Sequence, residues 1–254
     1  MKKYAVILAL FLGGCGGFFT VPSKHALKQP RPPIQEHSKT TLFDGPADFS
    51  HKTLSEGGIA LLGILSPGEP EGLIQNAAFE LFQGLRTTFP KMRIIPRKDV
   101  IQKISEVGKS QDFEAFLKSY QASRVMDVAR LREWGEIEGV RFLFIAQVTS
   151  IDKHTRTKTM VLGEKSVAGK VSVFSSGPIH IPYDVRKEIS LSGELWDSRC
   201  GKAVWMGSTH AKVREAGEIE RVRMEDIFIS VSRNLVKTLN RAITSNNHKN
   251  TADC

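Results

Sequence analysis

Val140-Arg-Phe-Leu-Phe-Ile-Ala-Gln-Val-Thr-Ser-Ile151 is β-rich and largely apolar, and its reading decides the fold. A run this short and this continuous reads as a strand buried on both faces, the centre of a sheet. The hydrophobic period changes around it. Before it, from about Leu73, apolar residues recur every three to four positions. After it, they alternate.

Upstream, Ile59-Ala60-Leu61-Leu62-Gly63-Ile64-Leu65 is a second apolar run, stopped by Ser66-Pro67-Gly68, and it predicts another buried strand. Leu73, Ala77, Leu81, Leu85 and Phe89 follow at spacing four, with Ile74, Ala78 and Phe82 beside them. They predict a helix with a wide apolar stripe, ended by Pro90. Arg93-Ile94-Ile95 is a short strand stopped by Pro96. Val100, Ile101, Ile104 and Val107 predict a second helix, with Asp99 placed in its first turn to suit the dipole. Phe113, Phe116, Leu117 and Tyr120 mark a third. Val128, Leu131 and Trp134 mark a fourth, with Gly139 in the position that closes a helix in the left-handed conformation.

Downstream, Asp152 to Tyr183 is mixed. Thr155 to Thr159 alternates with Lys and Arg, Lys170 to Ser176 alternates apolar and polar, and Gly177-Pro178 breaks the pattern. Lys187 to Trp196 then alternates Ile189, Leu191, Gly193 and Leu195 against Glu188, Ser190, Ser192 and Glu194. Ala203 to Val213 answers it across Asp197-Ser198-Arg199-Cys200-Gly201. In that turn Asp197 bonds its own backbone and Gly201 takes a positive φ. Met224, Ile227, Phe228, Val231, Leu235 and Leu239 form one stripe on a long C-terminal helix. The expected fold is a single α/β domain over residues 53–245, a mixed sheet of about five strands with helices packed on it, and a polar tail at 246–254.

The N-terminus has a different character. Met1-Lys2-Lys3 precedes an apolar run, Tyr4 to Leu12, and Leu12-Gly13-Gly14-Cys15 closes it. A charged start, a short apolar run and small residues make a secretory signal peptide, here residues 1–14. The competing reading is an uncleaved transmembrane anchor, but Gly13, Gly14, Gly16 and Gly17 crowd the span, each weakening a helix by about 1 kcal/mol relative to Ala. Residues 15–52 carry Pro22, Pro30, Pro32 and Pro33 among polar side chains, the composition of a flexible, extended tether. A chain starting near Phe49 is accordingly expected to keep the stability of the longer one.

The net charge is +9, falling to about +7 once Lys2 and Lys3 leave with the signal. Export argues against nucleic acid as the reason for this charge. An anionic envelope partner fits better: lipid headgroups, a glycan with acidic groups, or an acidic protein. Of three cysteines, Cys200 and Cys254 are left if Cys15 is modified, and whether they pair stays open.

Catalytic and metal motifs are absent from the sequence. There is no GxSxG, HExxH, CxxC, Walker A or GxGxxG. The nearest approach to a constellation is Asp197 with Glu194 and His210 on facing strands, which reads as turn chemistry and surface polarity. Trp134, Trp196 and Trp205 read as helix–sheet packing more readily than as an aromatic platform. No catalytic residue, cofactor or metal ligand is expected, and the protein reads as no enzyme.

Leu12-Gly13-Gly14-Cys15 resembles the lipobox of bacterial lipoproteins. That resemblance implies cleavage before Cys15 and acyl chains, palmitate among them, on Cys15. Three further stretches carry a second likeness: Ile59 to Phe89, Glu136 to Ala146, and Leu195 to Trp205 with its Asp197 and Gly201. They resemble the envelope lipoproteins built on the domain of the curli-export channel subunit (CsgG), itself similar to the N-terminal domain of TolB. That family includes penicillin-binding-protein activators. Gly16, rather than Asp, after the cysteine implies the outer membrane, with the domain facing the periplasm. The resemblance implies a membrane-anchored lipoprotein that binds another envelope protein or an anionic envelope polymer in envelope assembly or secretion, and it leaves a homo-oligomer open. Channel-forming members insert two long hairpins and close into a ring. Here Asp152 to Tyr183 is one short, broken, cationic candidate, so a ring-forming channel subunit is the alternative reading. An envelope enzyme with an unrecognised site is the second.

Overall fold

The computed structural model describes residues 31–42, 49–66, 71–160, 179–216 and 221–246. The signal segment, Cys15, the centre of the 152–183 segment and the polar tail from Asn247 lie outside the described residues. The chain runs β1 (Gln35–Leu42), α1 (His51–Gly57), β2 (Ile59–Leu65), α2 (Glu71–Thr88), β3 (Ile94–Ile95), α3 (Arg97–Glu106), α4 (Ser110–Ser123), α5 (Val128–Glu138), β4 (Phe142–Met160), β5 (Ile179–Asp197), β6 (Lys202–Ala216) and α6 (Met224–Asn246).

One six-stranded mixed sheet organises these elements, in the order β1-β6-β5-β4-β2-β3. The central strand expected at Val140–Ile151 is β4. It lies between β2, to which it is parallel, and β5, to which it is antiparallel. Phe142 to Val148 are all buried, as a strand covered on both sides requires. Helices α1, α2 and α6 cover one face. Ile74, Ala77, Leu81 and Leu85 of α2 and Ile227, Phe228, Val231, Leu235 and Leu239 of α6 meet Phe142, Phe144, Ile189, Leu191 and Trp205 there. The apolar stripe predicted for the C-terminal helix therefore faces the sheet. Gly193 permits the close approach of α6: a Cβ there would stand 2.9 Å from both Phe144 and Leu235.

The other face carries a second core, made by α3, α4 and α5. Val100, Ile104, Phe113, Phe116, Tyr120, Leu131 and Trp134 pack on Ala60, Leu62, Leu143 and Ile145. This cover reaches β5 only at its inner end, where Trp196 is partly buried against it and Glu194 accepts from the Tyr120 hydroxyl.

Three differences from the sequence reading bear on function. Residues 35–42, placed in the tether, form an edge strand that pairs antiparallel with β6 from Gln35↔Lys212 to Leu42↔Trp205. The chain joins the domain near Pro32, well before residue 53. Its side chains are exposed from Gln35 to Thr41, so the strand is held by ladder hydrogen bonds and leaves almost no apolar pattern. Residues 51–57 form a short helix capped by Ser50, whose hydroxyl accepts from the Thr53 amide at 3.2 Å. The central strand is also much longer than the apolar run. β4 continues to Met160 and stays paired with β5 to Met160↔Ile179, because antiparallel pairing tolerates a charged, Thr-rich continuation. The sheet accordingly has six strands where about five were expected.

Candidate functional site

Strand alternation places Glu188, Ser190 and Ser192 of β5 on the face opposite α6. Ser208, His210, Lys212 and Arg214 of β6 lie beside them, and Gln35, His37 and Lys39 of β1 follow. No helix among the described residues covers this part of the sheet. Each of these side chains is polar and at least partly exposed. The result is a bare, polar half-face three strands wide.

Its centre is a small cross-strand network. Ser190 Oγ and His210 Nδ1 are 3.0 Å apart. His210 Nε2 stands 4.0 Å from Glu188 Oε2, and the His37 ring stacks on His210 with centroids 6.4 Å apart. Toward the outer end the face becomes cationic. A groove of about 870 Å³ is lined by Pro32, Pro33, Gln35, His154, Arg156, Asp184, Arg186, Lys212 and Arg214, among others. Arg214 grips Asp184 with two bonds, Nε to Oδ1 at 2.9 Å and Nη2 to Oδ2 at 2.8 Å. These bonds, with the nearby charges of Arg214 and Arg156, hold the Asp184 carboxyl below its ordinary range. Arg186 pairs with Glu188. Arg156 and Lys212 have no hydrogen-bond or ion-pair partner among the described residues. Among the described lining residues, Arg156, Arg186, Lys212 and Arg214 thus surround one carboxylate, Asp184, which only Arg214 grips directly.

Behind the groove, on the α6 side, the sheet buries a charge pair. Lys187 Nζ donates to Glu215 Oε2 at 2.8 Å, and to the Val222 carbonyl. Glu215 Oε1 accepts from the amides of Arg221 and Val222 at 2.7 and 2.9 Å. Burial alone would raise the Glu215 carboxyl, but Lys187 and the two amides outweigh it and hold it low. The pair locks the start of α6 onto β5 and β6, which fixes the rear of the cationic groove.

Asp197, Glu194 and His210, read from the sequence as turn chemistry and surface polarity, are not brought together. Asp197 is fully buried. It accepts from Arg141 Nε at 2.7 Å and from the amides of Arg199 and Cys200 at 3.0 and 3.4 Å, while Gly201 takes φ +67°. This is the turn chemistry expected of it. Glu194 is drawn the other way, accepting from the Tyr120 hydroxyl and from Trp196 Nε1. Burial first, and Glu194 second, push the Tyr120 hydroxyl well above the usual range. His210 belongs to Ser190 and His37. The three tryptophans pack as seams: Trp134 against Phe113, Trp196 against Tyr120, and Trp205 beside Phe144 with its Nε1 donating to Thr40 Oγ1 at 2.9 Å. Cys200 is disulfide-bonded, and its partner is not among the described residues. The described residues contain no group of three or more metal-ligating side chains, and none of their helices is long and apolar enough to cross a membrane.

The groove and the bare half-face escaped the sequence reading because they are assembled across three strands from distant segments. Only the alternation of Thr with Lys and Arg after Thr155 hinted at a charged strand, and nothing in the sequence set its register.

No protein-family model and no curated protein matches the chain. Solved structures similar to it include the PelC dodecamer from Paraburkholderia phytofirmans, at 16% identity, 81% of this chain and 97% of that one, with a TM-score of 0.40. Lipoprotein GNA1162 from Neisseria meningitidis is similar at 17% identity, over 71% and 98%, with a TM-score of 0.38. A minor lipoprotein from Acinetobacter baumannii is similar at 9% identity, over 78% and 99%, with a TM-score of 0.24. None of these three reaches a TM-score of 0.5, and no residue role is carried from them to this chain.

Proposed function

We propose that this protein is an exported, non-enzymatic lipoprotein, anchored through acyl chains on Cys15. It presents its α/β domain to another envelope protein at the periplasmic side of the outer membrane, in assembly or secretion. The domain type is that of the curli-export and TolB-like lipoproteins. The address rests on Lys2-Lys3, the apolar run and Leu12-Gly13-Gly14-Cys15. The observation that carries the binding role is the half-face of β5, β6 and β1, which the helices leave bare while they sandwich the other half of the same sheet.

The Ser190–His210–Glu188 network supports binding better than catalysis. Ser190 lies on a strand paired on both sides, with Ser150 and with His210, so the ladders engage the amides around it. Acyl transfer needs donors aimed at the developing oxyanion, and here the backbone is spent on the sheet. A ring-forming channel subunit is the second reading. The observation in its favour is the length of the β4–β5 arms, 19 residues each. Channel members carry two such hairpins, and the described residues hold one.

Cells expressing the wild type and Cys15→Ser are labelled with a clickable palmitate analogue. The wild type should take label and fractionate with membranes, and the variant should take none. Equal labelling refutes the anchor. A photo-crosslinking residue at Ser208 should yield a discrete adduct that the same residue at Lys118, on exposed α4, does not. Large rings in mild detergent would favour the channel.

A further inference from the structure

We propose that the cationic groove at the outer end of the sheet binds the phosphates of anionic phospholipid headgroups, setting the domain end-on against the bilayer that anchors it. The proposal rests on the lipid-anchor reading for the proximity of a membrane. The groove itself is independent of that reading.

The first argument is where the chain enters the fold. β1 begins at Gln35, and Pro32 and Pro33 line the groove wall. The tether therefore ends at the groove and not at some other point of the domain. Residues 16–31 would span about 50 Å as an extended Pro-rich chain at about 3.1 Å per residue. A free segment to residue 52 would reach about twice as far. Docking β1 shortens the leash and fixes its point of attachment. A site held this way meets the membrane at an effective concentration of roughly millimolar, so weak headgroup contacts suffice.

The second argument is charge. Arg156 and Lys212 project from the same sheet face without a hydrogen-bond or ion-pair partner among the described residues, beside Arg214, whose side chain is 72% exposed. They come from β4 and β6, two strands apart, and the groove between them admits a phosphate-sized group with room for its glycerol neighbours. Arg214 is held in place by its bidentate bond to Asp184 and adds its charge to the groove wall. The buried Lys187–Glu215 pair holds β5 and β6 rigid beneath it. Lys and Arg side chains are drawn to an anionic leaflet within about a Debye length of its surface. An end-on pose also leaves the bare half-face at the side of the domain, open to a protein partner.

The test uses the mature chain with Cys15→Ser, so that no acyl chain contributes. It is sedimented with vesicles of phosphatidylcholine containing 30% phosphatidylglycerol, and with pure phosphatidylcholine. The chain should bind the anionic vesicles, weaken with salt, and ignore the neutral ones. Arg156→Ala with Lys212→Ala should weaken binding about tenfold or more. Arg156→Lys with Lys212→Arg should restore it, and Lys98→Ala with Lys118→Ala, remote exposed positions of equal charge, should change it less than twofold. Equal binding by the groove and remote variants overturns the proposal, as does retention on soluble poly-glutamate without vesicle binding. Palmitate labelling separates the two readings. A labelled protein whose groove variant binds like the wild type loses only the groove. An unlabelled one with groove-dependent binding loses only the anchor.

Discussion

The two halves of the sheet solve the same covering problem differently. Around β2 and β4 the sheet is packed on both faces, by α2 and α6 on one side and by α3, α4 and α5 on the other. Around β5, β6 and β1 it is packed on one face only. Polar groups behave inversely to what this suggests. On the one-sided half the buried charges and the centre of the bare face are paired, Lys187 with Glu215, Arg214 with Asp184 and Ser190 with His210, while Ser232 Oγ of α6 is buried without a partner among the described residues. In the sandwiched half Asp197 is paired with Arg141, but orphans are more numerous: Arg97 Nε, Trp134 Nε1, Gln147 Oε1 and both Glu138 oxygens are buried without a hydrogen-bond partner among the described residues. A buried polar atom left without a partner costs about 1–3 kcal/mol, so these atoms are where the sandwich is open to stabilising substitution. The half with a single cover depends on its pairs.

The sharpest way to break this comparison is a charge in the shared cover. Leu235 of α6 is fully buried, pressed on Gly193 at the boundary of the two halves. Leu235→Asp should cost more than about 4 kcal/mol, a large share of a typical 5–15 kcal/mol, and unfold the domain. Circular dichroism melts decide it. A native-like melt with an altered hydrodynamic size would make the α6 stripe an assembly face.

A smaller effect is expected where the one-sided half ends. Removing β1, with a chain that starts at Phe49, takes away eight ladder positions, the Trp205–Thr40 bond and the Ser230–Glu36 bond. Little apolar surface goes with them. The truncated domain should fold and melt several degrees lower, for a loss of about 1–3 kcal/mol at about 2–4 °C per kcal/mol. Hydrogen exchange of the β6 amides from Lys202 to Lys212 should accelerate sharply. Unchanged exchange would return residues 35–42 to the tether, as their sequence first suggests.

That strand shows what was legible and what was not. Elements that bury an apolar stripe announced themselves: β2, β4 and the helices from α2 to α6 fall where the periodicity of Leu81, Phe116 or Val231 puts them. Gly139 at φ +66° and Gly201 at φ +67° close the helix and the turn that their positions implied. Gln35–Leu42 has one apolar residue at its end and four prolines ahead of it, the signature of a linker. An edge strand exposed along its length needs no other. The outer arms of β4 and β5 were hidden for the same reason. The groove was out of reach because Arg156, Lys212 and Arg214 meet only through a register set by Ile189, Leu191 and Ala211 in the core. Cys15 lies outside the described residues, so its reading still stands on the sequence.

The smallest effect probes the orphaned polar atoms of the sandwich. Glu138 closes α5, fully buried. Burial pushes its carboxyl up, the Asp99 charge adds to this, and Lys103 and Arg93 offset only part. The folded state therefore holds the Glu138 proton more tightly than the unfolded chain does. Below the ordinary carboxyl range both states are protonated and the residue costs nothing electrostatically. As pH rises through that range and past the raised folded value, the unfolded chain ionises freely while the folded one must ionise in a dry site. Stability is lost across that window and stays lost above it. Glu138→Gln keeps the shape and removes the charge, so it should match the wild type near pH 4 and exceed it at pH 8 by about 2–4 °C, of the order of 1 kcal/mol. Melts of both proteins across that range are the measurement. A variant less stable than the wild type at pH 8 would mean that the carboxylate is held ionised by a partner. Both halves of the sheet would then obey one rule, paired polar groups throughout, and the difference between them would lie in their covering alone.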